Sequence, residues 1–209
     1  MSGEQDSAYE REVENANEAD LSEVENKGVV TVIREDDGSL IADNEGNAIV
    51  MVIPALVPHG DGVWEKCFKL FLRETKDICG SGYRVLYVHS AFSSPVWMAW
   101  WLIRMRGRLS RMHKKNLKAV TIVHPSLSVR VICVALSAVL RESFWRKLHY
   151  ADRVEELWLD GVLSREVVTR VIPAGVAVFE EALVEENEMM RDEAISLGVP
   201  LERREQRDG

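Results

Sequence analysis

Three histidines, His89, His124 and His149, stand at the ends of predicted strands. In a parallel sheet these ends share one edge, where α/β proteins usually bind ligands, so metal binding or base catalysis is the first chemistry to consider. A zinc site needs histidine nitrogens about 2 Å from one metal, and no carboxylate stands near the first two histidines to orient them. We therefore expect no metal. We expect His124 to donate a hydrogen bond to the backbone, at the corner where Pro125 ends the strand.

Nucleophilic catalysis is also not indicated. Ser90 and Ser126 lie near histidines, but their block of the chain offers no acidic partner, and there is no G-x-S-x-G motif. No glycine-rich phosphate-binding motif is present either. The three cysteines lack zinc spacing, and an odd count without a signal peptide is typical of a reducing cytosol. We expect a cytoplasmic, non-enzymatic protein without a cofactor.

Charge is strongly segregated along the chain. Residues 78–141 contain ten Lys or Arg and no Asp or Glu, although the formal net charge of the whole protein is −8. Residues 1–26 contain nine acidic residues and one basic residue, without a usable hydrophobic period. The basic block predicts a positive surface on an acidic protein. The acidic segment is interpreted as disordered, and as long enough to mask that surface.

Strand-like and helix-like segments alternate through the middle of the chain. The segments 28–33, 48–53, 83–90 and 117–123 are rich in β-branched residues, whereas 60–78, 93–115 and 126–140 have helical spacing or are apolar all round. This order predicts an α/β fold with a mostly parallel sheet flanked by helices. We expect one domain over residues 27–182, followed by an acidic helix or tail over 183–209.

The predicted helix 93–115 has two stripes, about 110° apart on the helix. The first is an apolar core stripe, with Met98, Leu102, Met105, Leu109 and Met112. The second is a basic and aromatic ribbon, with Trp97, Trp101, Arg104, Arg108, Arg111 and Lys115. The ribbon fits an anionic membrane surface or an acidic partner, but it is equally compatible with a solvated face whose tryptophans pack on a neighbour. Nucleic-acid binding is not expected, because no base-stacking motif accompanies the basic ribbon and the flanking segments of the chain are acidic.

The segments YRVLYVHS, KKNLKAVTIVHPS and WRKLHYADRVEELW resemble successive core blocks of the divergent CRAL-TRIO domains. This family includes the BCH domains found beside Rho GTPase-activating modules and the C-terminal domain of ganglioside-induced differentiation-associated protein 2. The similarity covers about residues 45–182. Its most specific element is the order basic–basic–Asn–Leu–Lys, apolar strand, His-Pro. The resemblance implies a lipid pocket with a sheet floor and a helical lid, and no catalytic centre.

Within that family the helix 126–140 corresponds to the lid, although core packing alone would also explain its composition. The predicted ligand-facing residues are Val129, Ile132, Leu136 and Val139 on the helix, with Tyr87 and Ile122 opposite them on the sheet. Two hypotheses follow. The first is a carrier or sensor of a lipid or other apolar ligand that visits anionic membranes. The second is a BCH-like scaffold that binds a small GTPase or forms a homo-oligomer.

Overall fold

The computed structural model describes residues 2–90, 92, 103–104, 107–136 and 142–196. The strands in this part of the chain are β1 (Val30–Val32), β2 (Ala48–Val52), β3 (Tyr83–Val88), β4 (Leu117–Val123) and β5 (Leu148–Ala151). The helices are α1 (Ser2–Glu18), α2 (Ser22–Glu25), α3 (Val63–Thr75), α4 (Arg111–Asn116), α5 (Leu127–Leu136), α6 (Glu142–Trp145), α7 (Glu156–Leu159), α8 (Arg165–Val171) and α9 (Ala174–Ser196).

The five strands form one sheet in the order β1-β2-β3-β4-β5. β1 pairs with β2 in antiparallel orientation, and the pairs β2–β3, β3–β4 and β4–β5 are all parallel. The predicted α/β class with a mostly parallel sheet is therefore confirmed. Because neighbouring strands in the sheet are also consecutive in sequence, right-handed crossovers place α3 and α5 on the same face.

The strands β2 and β4 are largely apolar on both faces, and both of their faces are buried. All five residues of β2 are buried, as are the last five of β4. Val50, Tyr87 and Ile122 belong to one core cluster with Phe68 of α3 and Val129 of α5. Buried residues at alternate positions of the strands must point to the opposite face. A strand covered on both sides needs a continuous apolar run, which is what the sequence shows.

The N-terminal segment is folded, contrary to the expectation of disorder over residues 1–26. α1 packs against α3, and Val13, Ala16 and Leu21 are buried in the core. Tyr9, Val13 and Ala16 stand four and three residues apart, so they share one face of α1. The many surrounding acidic residues concealed this short apolar stripe. The domain limits at residues 27 and 182 stay predictions.

The predicted helix 93–115 is not continuous. Residues 103–104 and 107–108 are helical, but Ser110 has extended backbone angles, φ −62° and ψ 163°, and caps a new helix, α4. Its Oγ accepts the His113 backbone N–H at 3.2 Å, as a serine at a helix N-cap usually does. The predicted stripes therefore do not extend across Ser110, and Met112 is exposed rather than part of the core.

The chain divides into two compact units, Met1–Val171 and Ile172–Gly209. The first contains the whole sheet, and the second contains α9. No helix in the described ranges has the length and apolarity needed to cross a membrane.

Candidate ligand-binding face and basic surface

The predicted sheet floor lies on the face of the sheet that shares a core cluster with α5. Tyr87 of β3 is the register partner of Ile122 of β4, which in turn is the partner of Tyr150 of β5. Tyr87 and Ile122 are both buried, and burial raises the pKa of the Tyr87 hydroxyl. Since paired residues of neighbouring strands point to the same side, these three side chains form a continuous row.

Helix α5 presents a slightly different inward face from the predicted one. Val129, Cys133 and Leu136 are buried, at spacings of four and three residues, and Ile132 is only partly buried. Cys133 therefore joins Val129 on the inward side, and Ile132 packs against the same core cluster while staying partly exposed. Val139 lies outside the described residues. The sequence pattern could not separate the two positions because every neighbouring side chain is apolar.

The opposite side of α5 is apolar and exposed. Leu127, Val131 and Val134 are 78%, 59% and 72% exposed, at spacings of four and three residues. A helix that is apolar all round is expected either to be buried on several sides or to cover an apolar cavity. In the described part of the chain it is buried on one side only.

Arg130 and Cys133 of α5 both contact Tyr150 of β5. The Arg130 guanidinium forms an ion pair with Asp152 and lies over the Tyr150 ring, 4.7 Å from its centroid. Burial, followed by a hydrogen bond with Cys133, raises the pKa of Tyr150 to about 12. The Glu156 carboxylate accepts the backbone N–H groups of Asp152 and Arg153 at 3.2 Å each.

A cluster of histidines and serines lies where β3 and β4 end. His89 Nε2 lies 3.3 Å from Ser126 Oγ, and His124 Nδ1 lies 2.7 Å from Ser90 Oγ. The Ser90 hydroxyl, which follows β3, is thus one partner of the His124 ring, and the expected hydrogen bond from His124 to the backbone stays a prediction. His124 has a φ of 53°, a left-handed conformation that histidine adopts more readily than most non-glycine residues.

The three histidines differ in environment. His89 and His124 are buried, whereas His149 is exposed. Burial lowers the pKa of His89, and its Nδ1 has no hydrogen-bond partner in the described part of the chain. Among the described residues no three His, Cys, Asp or Glu side chains are grouped so as to hold a metal ion.

The basic ribbon is divided by internal ion pairs. Arg108 donates to Glu12 of α1 at 3.0 Å and to Glu65 of α3 at 2.7 Å, and its guanidinium lies 4.0 Å from the centre of the Phe68 ring. Arg104 also pairs with Glu65, at 3.5 Å. Trp97 and Trp101 lie outside the described residues. Arg108 therefore connects α1 to α3 and is not a free surface cation.

The acidic segment contacts the basic block through this ion pair, but as part of a packed helix rather than as a flexible mask. Glu23 and Glu25 of α2 form further ion pairs with Lys66 and Arg73 of α3. Deleting residues 1–26 would remove buried core residues as well as charge. The predicted masking therefore cannot be tested by that deletion alone.

A second basic surface starts at Arg111 and Lys115 of α4 and continues on β4 and on the turn before β5. We call it the basic collar; it comprises Arg111, Lys115, Lys118, Arg146 and Lys147. In the described ranges none of the five forms an ion pair with a carboxylate. Burial lowers the pKa of Lys147, and the nearby charge of Lys118 lowers it further. Within the described ranges the collar therefore presents cations that no carboxylate neutralises through an ion pair, and at least Lys118 and Lys147 repel each other.

Asn116, which lies between Lys115 and Lys118 in the sequence, has a structural role. Asn116 Nδ2 donates to the carbonyls of Cys79 and Gly80 at 2.8 and 3.1 Å, which fixes the start of β4 to the turn after α3. Lys147 Nζ donates to the carbonyls of Lys114 and Leu117, at the C-terminal end of α4. The order Lys-Lys-Asn-Leu-Lys therefore combines an exposed charge with a fixed register for the strand that follows.

Known proteins resemble the sheet domain in sequence and in fold. Residues 46–182 match the model of the divergent CRAL/TRIO domain. Rho GTPase-activating protein gacY of Dictyostelium discoideum is 29% identical over 118 residues, which are 56% of this chain and 16% of that protein. Rho GTPase-activating protein 1 of Mus musculus and of Homo sapiens is 26% identical over 117 residues, 55% of this chain and 27% of theirs.

The crystal structure of Sfh5 has the same fold, with a TM-score of 0.56 and 10% sequence identity, over 72% of this chain and 56% of that one. The matched segment makes up little more than a quarter of the mouse and human relatives, and less of the Dictyostelium protein. The family model, in contrast, spans the sheet from β2 to β5 and the helices between them. The chain therefore belongs to the divergent CRAL/TRIO domain family.

Proposed function

We propose that this domain binds a lipid or another apolar small molecule between α5 and the sheet face of Tyr87 and Ile122. The observation that carries the proposal is helix α5, which is apolar on the side facing the core and on the side facing solvent. A helix with this pattern is suited to covering an apolar ligand. Domains of this family typically bind lipophilic ligands and are not catalytic, which supports the proposal.

Two tryptophan variants test the ligand site. Ile132→Trp and Leu136→Trp place an indole toward the sheet, where it should fill the volume of a bound ligand and abolish uptake of a fluorescent lipid. In a solid core the same changes overpack, at a cost of about 1–3 kcal/mol. Val134→Trp, on the exposed side of the same helix, is the matched control and should alter neither uptake nor thermal unfolding. Strong destabilisation without lipid uptake by the wild type would contradict the proposal.

We further propose that the domain associates with anionic membranes through the basic collar. Arg104 and Arg108 contribute less, because Glu65 and Glu12 neutralise them within the fold. Each unpaired basic residue near an anionic surface contributes about 1 kcal/mol. The triple variant Arg111→Glu, Lys115→Glu, Lys118→Glu should therefore no longer sediment with phosphatidylserine vesicles at low salt.

The control for the collar is a triple reversal of exposed basic residues outside it, Arg153→Glu, Arg165→Glu, Arg170→Glu, which changes net charge equally. Sedimentation that both triples reduce equally would indicate an unspecific charge effect. Wild-type protein that ignores anionic vesicles at low salt would refute membrane association. Three unpaired cysteines are compatible with the cytoplasm, where we place this activity.

The alternative is a BCH-like scaffold for a small GTPase or for a second copy of this chain. It is favoured by the identity of the similar proteins, which are Rho GTPase-activating proteins. Native mass spectrometry of protein purified from cells distinguishes the two functions. A bound apolar molecule supports the carrier, whereas a ligand-free protein that captures a small GTPase or dimerises supports the scaffold.

A further inference from the structure

His89 poses a hydrogen-bonding problem at the end of β3. The side chain is only 3% exposed, and its Nδ1 is buried with no hydrogen-bond partner in the described part of the chain. The great majority of buried polar atoms in proteins are paired, so this nitrogen requires an explanation. Its position two residues after Tyr87 places it on the sheet face that carries the proposed ligand site.

Among the described residues, the aromatic neighbours of the ring are uncharged. Tyr87 and Phe92 flank it, with ring centroids 6.1 and 5.8 Å from that of His89, and Phe92 contacts Trp64. Burial lowers the pKa of His89, so the ring is neutral at pH 7 and has one donor nitrogen and one acceptor nitrogen. A charged group beside this nitrogen would have no counter-ion in these contacts and would lose its hydration. These contacts favour a neutral group as the partner of Nδ1.

Ser126 determines which nitrogen carries the proton. Its Oγ lies 3.3 Å from His89 Nε2 and 2.9 Å from Ser128 Oγ, and it accepts the Val129 backbone N–H at 3.4 Å. The single hydroxyl proton of Ser126 can go to His89 or to Ser128. If it goes to His89, Nδ1 is a donor; if it goes to Ser128, Nε2 is the donor and Nδ1 is an acceptor. A hydroxyl group can pair with Nδ1 in both cases, because it donates and accepts.

We propose that His89 Nδ1 binds the hydroxyl group of a neutral apolar alcohol held between α5 and the sheet. This inference rests on the proposed ligand-binding function and specifies its ligand as a long-chain or polycyclic alcohol. Ser126 is the positioning residue, since it holds the ring through Nε2. A site with a buried hydrogen-bonding group discriminates strongly against an analogue that lacks the partner, because the group is then left unpaired.

The test compares a pyrene-labelled dodecanol with the same probe bearing hydrogen in place of the hydroxyl. Wild-type protein should bind the alcohol about tenfold more tightly than the alkane, as a single buried hydrogen bond of roughly 1.4 kcal/mol implies. His89→Phe should bind both probes with the affinity of the alkane. His89→Asn, which retains a hydrogen-bonding atom near the position of Nδ1, should restore part of the preference. His149→Phe is the matched control and should behave like the wild type.

A second readout does not depend on affinity. In nitrogen NMR of the full protein the Nδ1 resonance of His89 should shift when the alcohol is added and stay unchanged with the alkane. Equal affinity of the wild type for both probes, or a preference that survives in a folded His89→Phe, would overturn the hydroxyl assignment and leave apolar ligand binding intact. Tighter binding of the corresponding carboxylic acid would also overturn it. Failure of the wild type to bind any probe would refute the proposed function itself.

Discussion

His113 and His89 are both buried histidines, but they lie at opposite ends of the parallel strands. Near the start of the strands, His113 Nε2 lies 3.0 Å from Thr75 Oγ1 and Nδ1 lies 3.1 Å from Ser110 Oγ. Thr75 donates its own proton to the Phe71 carbonyl, so it must accept from Nε2, and Ser110 must donate to Nδ1. Every polar atom of His113 is therefore used, whereas His89 has one nitrogen without a described partner.

The same contrast extends to the neighbouring polar groups. In the turn before β2, the Asp43 carboxylate accepts from the Asn47 backbone N–H at 2.8 Å and from Arg84 Nε at 2.9 Å, and Arg84 also donates to Thr121. A fully satisfied network fixes structure and leaves nothing for a ligand. We infer that the start of the strands stabilises the fold, and that the other end, where a polar atom stays available, is where ligand chemistry can occur.

The largest effect should come from breaking the network at the start of the strands. Asp43→Ala leaves the Arg84 guanidinium, whose side chain is only 11% exposed, without its counter-ion. Removing one member of a buried ion pair costs about 3–5 kcal/mol. The free energy of unfolding in urea measures this loss.

The control for Asp43 is Glu35→Ala, which breaks the ion pair between Glu35 and Arg170 on the surface. An exposed pair contributes about 0–1 kcal/mol, so this variant should unfold almost like the wild type. Similar losses of unfolding free energy in the two variants would show that the buried network stabilises the fold no more than an exposed ion pair does.

Replacing each histidine by phenylalanine compares the two ends directly. His113→Phe removes two hydrogen bonds inside a cluster of Tyr9, Phe71 and Tyr83, and should cost about 1–3 kcal/mol. His89→Phe removes one long hydrogen bond together with an unpaired nitrogen, so it should change the free energy of unfolding by less than about 1 kcal/mol. A larger loss for His89→Phe than for His113→Phe would reverse the assignment of structural and ligand-binding ends.

The sequence predicts the sheet well, because β-branched runs such as 48–53 and 117–123 are buried on both faces and carry their own signal. It does not predict α1, whose stripe of three apolar residues is outnumbered by charges, nor the helix break at Ser110. The pairing of Arg108 with Glu12 joins residues 96 positions apart, and no local pattern reports such a contact. Cys133 was missed for a different reason: in an all-apolar helix, packing against the sheet decides which side faces inward. Burial of His89 and His113 likewise follows only from tertiary packing.

Lowering the pH should reveal the burial of His113 through a smaller loss of stability. Burial lowers the pKa of His113 to about 4, and no carboxylate is among its hydrogen-bond or ring partners, which are Tyr9, Phe71, Thr75, Tyr83 and Ser110. In the unfolded chain a histidine titrates near pH 6.5. Between these two values the unfolded state binds more protons than the folded state, so stability falls as the pH falls through this window.

Relative to His113→Phe, the wild type should therefore lose about 1 kcal/mol of unfolding free energy between pH 7.5 and pH 5.5. Urea unfolding of both proteins at the two pH values measures this difference, and the carboxylates that titrate in both proteins cancel from it. The loss is smaller than the effect of removing the side chain, because at pH 5.5 the folded protein still keeps His113 neutral and both of its hydrogen bonds intact. Parallel pH dependence of the two proteins would mean that His113 is not held neutral by burial, and the contrast with His89 would then rest on hydrogen bonding alone.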